Sequence, residues 1–146
     1  MVDEPKSNQN IQSRDATMFE FLFNCTIADK GRCAKARSSF EEAGRIILST
    51  LLILNSKIKV DVTFREMEEP RLLRSAGPLR AIPLKDDDGI ERMYPQSLVK
   101  QFQFPSHPEF AFVDIVADFN SLAPFWFEGD PPITEGHIWF LGNSFA

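Results

Sequence analysis

Ile58-Lys59-Val60-Asp61-Val62-Thr63-Phe64 alternates without a break. Ile58, Val60, Val62 and Phe64 point one way and Lys59, Asp61 and Thr63 the other, which is the period of a strand with one buried face. Upstream, Phe19, Phe21 and Phe23 alternate with Glu20, Leu22 and Asn24, giving a second strand, aromatic on one face and partly apolar on the other. Between them, Ala36, Phe40, Ala43, Ile47 and Leu51 recur at steps of three and four. That stripe predicts a helix from about Cys33 to Leu52, after a turn at Asp29–Arg32 that carries Gly31. Asn55-Ser56 ends it. Strand, helix and strand within about 45 residues make a βαβ unit, expected to be parallel and right-handed.

Beyond this unit the pattern loosens. Arg65–Arg74 is charged and irregular, and Ser75-Ala76-Gly77-Pro78 reads as a turn. Leu79–Leu84 suits a short strand, Asp86-Asp87-Asp88-Gly89 a tight acidic turn, and Pro95 the first turn of a short helix through Phe102. Ser106-His107-Pro108 reads as a loop. Val113, Ile115, Ala117 and Phe119 alternate with Asp114, Val116, Asp118 and Asn120, so Val113–Asn120 is a further strand. An aromatic segment, Pro124–Pro132, and an apolar end, Ile138–Leu141, complete the pattern. Residues 1–17 read as a disordered tail, 18–141 as the folded unit and 142–146 as its end. The expected class is α+β: a βαβ start and a twisted mixed sheet with one long packed helix.

Composition narrows the function classes. The 14 Phe, against 1 Tyr and 2 Trp, call for a dry interior or a dry partner. The formal net charge is −5, and the basic residues are scattered among acids, so no nucleic-acid partner is expected. No apolar run approaches the ~20 residues of a membrane span, and Met1–Asp15 lacks the apolar stretch of a signal peptide. No membrane partner is expected, and the cytoplasm is the default compartment. In that setting Cys25 and Cys33 read as two buried thiols, although their spacing also allows a disulfide.

Each familiar chemistry lacks a part. Ser and Cys nucleophiles need a base, and His107 and His137 are the two histidines available, with no G-x-S-x-G elbow. Two His and two Cys scattered over more than 100 residues do not make a zinc site. Asp86–Asp88 are adjacent, where a calcium loop spreads its carboxylates, and no glycine pair forms a phosphate loop. The carboxylate pairs Glu68 with Glu69 and Asp114 with Asp118 carry little information without a pocket.

The order of features resembles the N-terminal half of zincin-fold metallopeptidases related to the metzincins. The matching stretches are Phe19–Phe23, Ser39-Phe40-Glu41-Glu42-Ala43-Gly44 and Ile58–Phe64. Asp118-Phe119-Asn120, Phe125-Trp126-Phe127-Glu128-Gly129-Asp130 and Gly136-His137-Ile138-Trp139-Phe140 are the most specific, and the likeness spans about residues 18–141. It implies a helix packed on a twisted mixed sheet, with an antiparallel edge strand that binds extended substrate by main-chain pairing. Position makes Val113, Ile115, Val116, Asp118 and Asn120 the candidate substrate-binding residues of that edge. The likeness places the HExxH zinc helix just after the segment matching Gly136–Phe140, whereas here Leu141-Gly142-Asn143-Ser144-Phe145-Ala146 follows. No catalytic or metal residue carries over, and zinc is expected only in complete members.

The reading is a catalytically incomplete metallopeptidase-like protein that keeps the scaffold and a substrate-binding edge. The alternative is a protein-interaction module using an exposed sheet edge or a Phe-rich face. The expected partners are a peptide or protein, or a second copy, because a sheet without the zinc helix should leave apolar surface uncovered.

Overall fold

The computed structural model describes residues 18–50, 55–69, 71–102 and 104–140. The tail assigned to residues 1–17, the end at 142–146, and Leu51 and Leu52 of the predicted helix lie outside these residues. The protein is α+β, and its first strand, β1, is Phe19–Cys25. The long helix α1 is Lys30–Thr50, and β2 is Ile58–Arg65. β1 and β2 are parallel, in register from Phe19 opposite Ile58 to Cys25 opposite Phe64, as a βαβ unit requires.

α1 begins three residues before the predicted start. Asp29 accepts the N–H of Arg32 on Oδ1 at 3.0 Å, and its carbonyl accepts the N–H of Cys33 at 3.1 Å. The residue read as a turn-former is an N-cap, which draws Lys30, Gly31 and Arg32 into the first helical turn. The predicted stripe is the packed face: Ala36, Phe40 and Ala43 are buried and Ile47 is partly so. At Gly44 a Cβ would lie 2.8 Å from the Phe21 ring, so glycine lets β1 and α1 approach.

Arg74–Pro78, read as a turn, is strand β3, antiparallel to β6 (Ile115–Asn120). Gly77 and Pro78 are tolerated because β3 is the last strand of its sheet. β6 also pairs in parallel with β2, and the sheet order is β1-β2-β6-β3. β4 (Ala81–Lys85) and β5 (Glu91–Pro95) form a hairpin around the acidic turn, with Gly89 at φ 80°. A short helix α2 (Gln96–Val99) and a 3-10 turn (Lys100–Phe102) follow Pro95. The two-residue strands β7 (Phe125–Trp126) and β8 (Ile138–Trp139) pair in parallel.

One face of the large sheet meets α1 and the segment after β6. Val62, Phe64, Phe127 and Phe140 are buried with essentially no exposure. The Phe140 ring centre lies 4.7 Å from that of Phe127, 4.9 Å from Phe125 and 5.3 Å from both Phe40 and Phe119. Phe140 thus plugs the space beneath α1. The face of the sheet beneath α1 is covered by this aromatic cluster, while Phe102, Phe104 and Phe112 remain exposed elsewhere.

Candidate functional site

The predicted substrate-binding edge is not an edge. β6 is flanked by β2 on one side and β3 on the other, so Ile115, Val116, Asp118 and Asn120 belong to a strand with both sides paired. Val113 lies just before β6 and is buried. Ile115 packs on the core, and Asp118 accepts from Arg65 Nε at 3.2 Å. The Asn120 side chain is fully buried. Its Oδ1 accepts the N–H of Met67 (3.3 Å) and Leu122 (3.1 Å), and its Nδ2 donates to the Leu72 carbonyl (2.9 Å). It ties the segment leading into β3 to the end of β6. Main-chain pairing with substrate is closed to this strand.

The other chemistry-bearing side chains also serve architecture. Asp114 is buried and accepts Gln96 Nε2 at 2.6 Å, the Lys59 N–H at 2.8 Å and Lys100 Nζ at 3.0 Å. Asp118 lies four residue steps beyond Asp114 along extended chain, about 13 Å at the usual rise, and each has its own cation, so they form no acid–base pair. Asp130 pairs with Lys35, which, with the Phe127 N–H, holds its carboxyl below the ordinary range. His107 stacks on Phe110, and His137 Nδ1 accepts the Thr134 N–H at 3.2 Å. Among the described residues no three or more His, Cys, Asp and Glu gather as metal ligands.

The parallel edge is the open one. Ile58 N–H donates to the Met18 carbonyl at 2.8 Å, and Thr26 N–H donates to the Phe64 carbonyl at 3.3 Å. In a regular parallel ladder these bonds turn the main-chain groups of residues 18, 20, 22, 24 and 26 toward β2. Those of Phe19, Phe21, Phe23 and Cys25 then face outward, where no strand among the described residues pairs with them. Two grooves run between this edge and α1. One, of about 470 Å³, is lined by Phe19, Phe21, Gly44 and Leu48 with four charged residues. The other, of about 530 Å³, is lined by Phe23, Cys25, Lys30, Cys33, Arg37 and their neighbours. Cys25 and Cys33 are disulfide-bonded, not the two thiols expected. α1 runs back antiparallel along β1, so its first turns lie beside the end of the strand, and the two Cα atoms come to 5.9 Å, within disulfide reach.

The family described as SPBPB7E8-like matches residues 3–145. The chain belongs to the SPBPB7E8-like family. "Uncharacterized protein PB7E8.01" of Schizosaccharomyces pombe is 30% identical over 138 residues, covering 82% of this chain and 24% of that protein. The chain therefore spans about a quarter of the length of that curated relative. No solved structure matches significantly. The zincin likeness remains a resemblance.

In this SPBPB7E8-like chain the grooved edge is only half visible in the sequence. The alternating phenylalanines announce β1, but nothing local says which side of a strand stays unpaired. Lys30 is hidden when the helix is started at Cys33. No helix among the described residues is long and apolar enough to cross a membrane.

Proposed function

We propose that this chain is a protein-interaction module that takes an extended segment of a partner onto the open edge of β1. The carrying observation is a seven-residue outer strand that presents the main-chain groups of Phe19, Phe21, Phe23 and Cys25 beside two grooves. Strand addition draws affinity from such main-chain groups and specificity from the side-chain space next to them. The Cys25–Cys33 disulfide fixes the end of that strand to α1 and supports an oxidising compartment over the cytoplasmic default.

Amide hydrogen exchange tests the reading. In the free protein the amides of Glu20, Leu22, Asn24 and Thr26 should be protected and those of Phe21, Phe23 and Cys25 fast. An eight-residue alternating peptide should slow the fast set. If acidic, neutral and basic peptides all leave those three amides fast, the reading fails.

A second reading is a metallopeptidase-like scaffold with no zinc site among the described residues. It is supported by a helix packed on a mixed sheet whose outer strand β3 is antiparallel, and it moves the substrate edge from Val113–Asn120 to Arg74–Pro78. It expects neither zinc retention nor proteolysis. Stoichiometric zinc in the purified chain, measured by elemental analysis, would overturn it.

A further inference from the structure

We infer that the segment received by β1 carries acidic side chains toward α1 at the Cys25 end of the edge. This rests on the strand-accepting reading of β1. The groove at that end is lined by Phe23, Asn24, Cys25, Lys30, Cys33, Ala34, Arg37 and Ser38. With both cysteines in the disulfide, its titratable residues are Lys30 and Arg37, both cationic. Neither has a carboxylate partner among the described residues. Lys30 Nζ donates to the Ile27 carbonyl at 3.1 Å, and the Arg37 guanidinium lies 5.4 Å from the centre of the Phe23 ring.

The groove at the Phe19 end differs. Its charges are two carboxylates, Glu20 and Glu41, and two cations, Arg45 and Lys57. Glu20 pairs with Lys57 at 3.5 Å, and Arg45 is held by Glu42. Charge is balanced there and unbalanced at the other end, in a chain whose net charge is −5. Ala34 and Ser38 are small, which leaves room over the main chain of Phe23 and Cys25.

An added strand turns every second side chain toward α1. At the Cys25 end a carboxylate on that side would meet Arg37 and Lys30 beside the Phe23 ring and the disulfide. Charge-assisted bonds there are shorter and stronger than neutral ones. Side chains on the opposite face meet the strip of Glu20, Leu22 and Asn24 and gain nothing from negative charge.

The test is an NMR titration of the full chain at low salt with three eight-residue peptides, alternating Thr with Glu, Gln or Lys. The Glu peptide should bind roughly three- to tenfold more tightly than the Gln peptide, and the Lys peptide more weakly than either. Lys30→Ala with Arg37→Ala should erase that ranking while the amide spectrum reports an intact fold. Equal affinity for the Glu and Gln peptides, with Phe21, Phe23 and Cys25 still slowed, overturns the charge inference and leaves the edge reading standing. A ranking unchanged in the double variant overturns it too. Slowing of those amides by raised protein concentration alone would make a second copy the occupant, and overturn it. No slowing with any peptide sinks the strand-accepting reading itself.

Discussion

The four-stranded sheet ends in β1 on one side and β3 on the other, and the two strands treat an open edge differently. β3 has five residues, begins with Arg74 and ends in Gly77-Pro78. Leu79 N–H donates to the Asp114 carbonyl and Asn120 N–H to the Leu73 carbonyl, so the odd-numbered residues face β6 and Arg74, Ala76 and Pro78 face outward. The missing N–H of Pro78 therefore falls on the open side. Shortness, a charge and a proline are the usual means of blunting an edge. β1 has seven residues and none of these devices at its outward positions, which are Phe19, Phe21, Phe23 and Cys25, all with N–H groups. An edge this long and apolar invites pairing, and its neighbour β2 fixes its register over its whole length. Where one edge of a sheet is blunted and the other left regular, the regular one is the place to look for a partner.

If the edges are separately supported, each should be loosened alone. Asn120→Ala strips the partners from Met67 N–H, Leu122 N–H and the Leu72 carbonyl at the root of β3. Leaving those groups unpaired should cost about 3 kcal/mol, measured by denaturant unfolding, and exchange at Ser75 and Gly77 should rise before exchange in β1. Next in size is Cys25→Ser with Cys33→Ser. The bridge closes a sequence separation of 8 residues, and its loss should cost about 2.5 kcal/mol on loop-closure grounds. The added exchange should concentrate at Asn24 and Thr26, sparing β3. Equal loosening of both edges by either variant would show that the edges share one cooperative unit, and the contrast would lose its energetic basis.

The legible parts of this fold are those whose signal is local. Ile58–Phe64 alternates in sequence and is buried on alternate residues in β2, and the Ala36–Phe40–Ala43 stripe is the packed face of α1. β1, α1 and β2 together make the parallel unit that their patterns predict. Ser75–Pro78 reads as a turn because glycine and proline carry turn chemistry locally and become acceptable in a strand only at a sheet edge. Val113–Asn120 is rightly expected as a strand and wrongly as an edge: alternation reports which faces differ, and strand order is decided by pairing partners distant in sequence. The same limit hides the open side of β1. The buried Gln96–Asp114–Lys100 set and the Asn120 hub are invisible in the sequence because their bonds join segments brought together only by the finished sheet.

The β4–β5 hairpin offers a further pair of strand edges, and it is guarded by charge. Arg92 pairs with Asp86 at 2.6 Å and Asp88 at 2.8 Å, and Tyr94 Oη donates to Asp86 at 2.6 Å. The Tyr94 hydrogen bond, and then Arg92, hold the Asp86 carboxyl below its ordinary value, while the Asp86 hydrogen bond raises the Tyr94 phenol above 10.0. The two shifts act at opposite ends of the pH range. Asp86 contributes stability that is present above the unfolded carboxylate value and lost as pH falls through its lower folded value. Tyr94 contributes stability that is present below 10.0 and lost as pH rises through its higher folded value. Both groups are only half-buried, at the surface, so the effect on unfolding should be smaller than that of Asn120→Ala or of the paired cysteine substitutions. The phenol itself is easy to follow, since Tyr94 is the single tyrosine. Its ultraviolet titration midpoint should lie above 10.0 and return to about that value in Asp86→Ala. A midpoint unmoved by the substitution would mean that the turn does not hold the hairpin through this pair, and that β4–β5 is an open edge closer in kind to β1 than to β3.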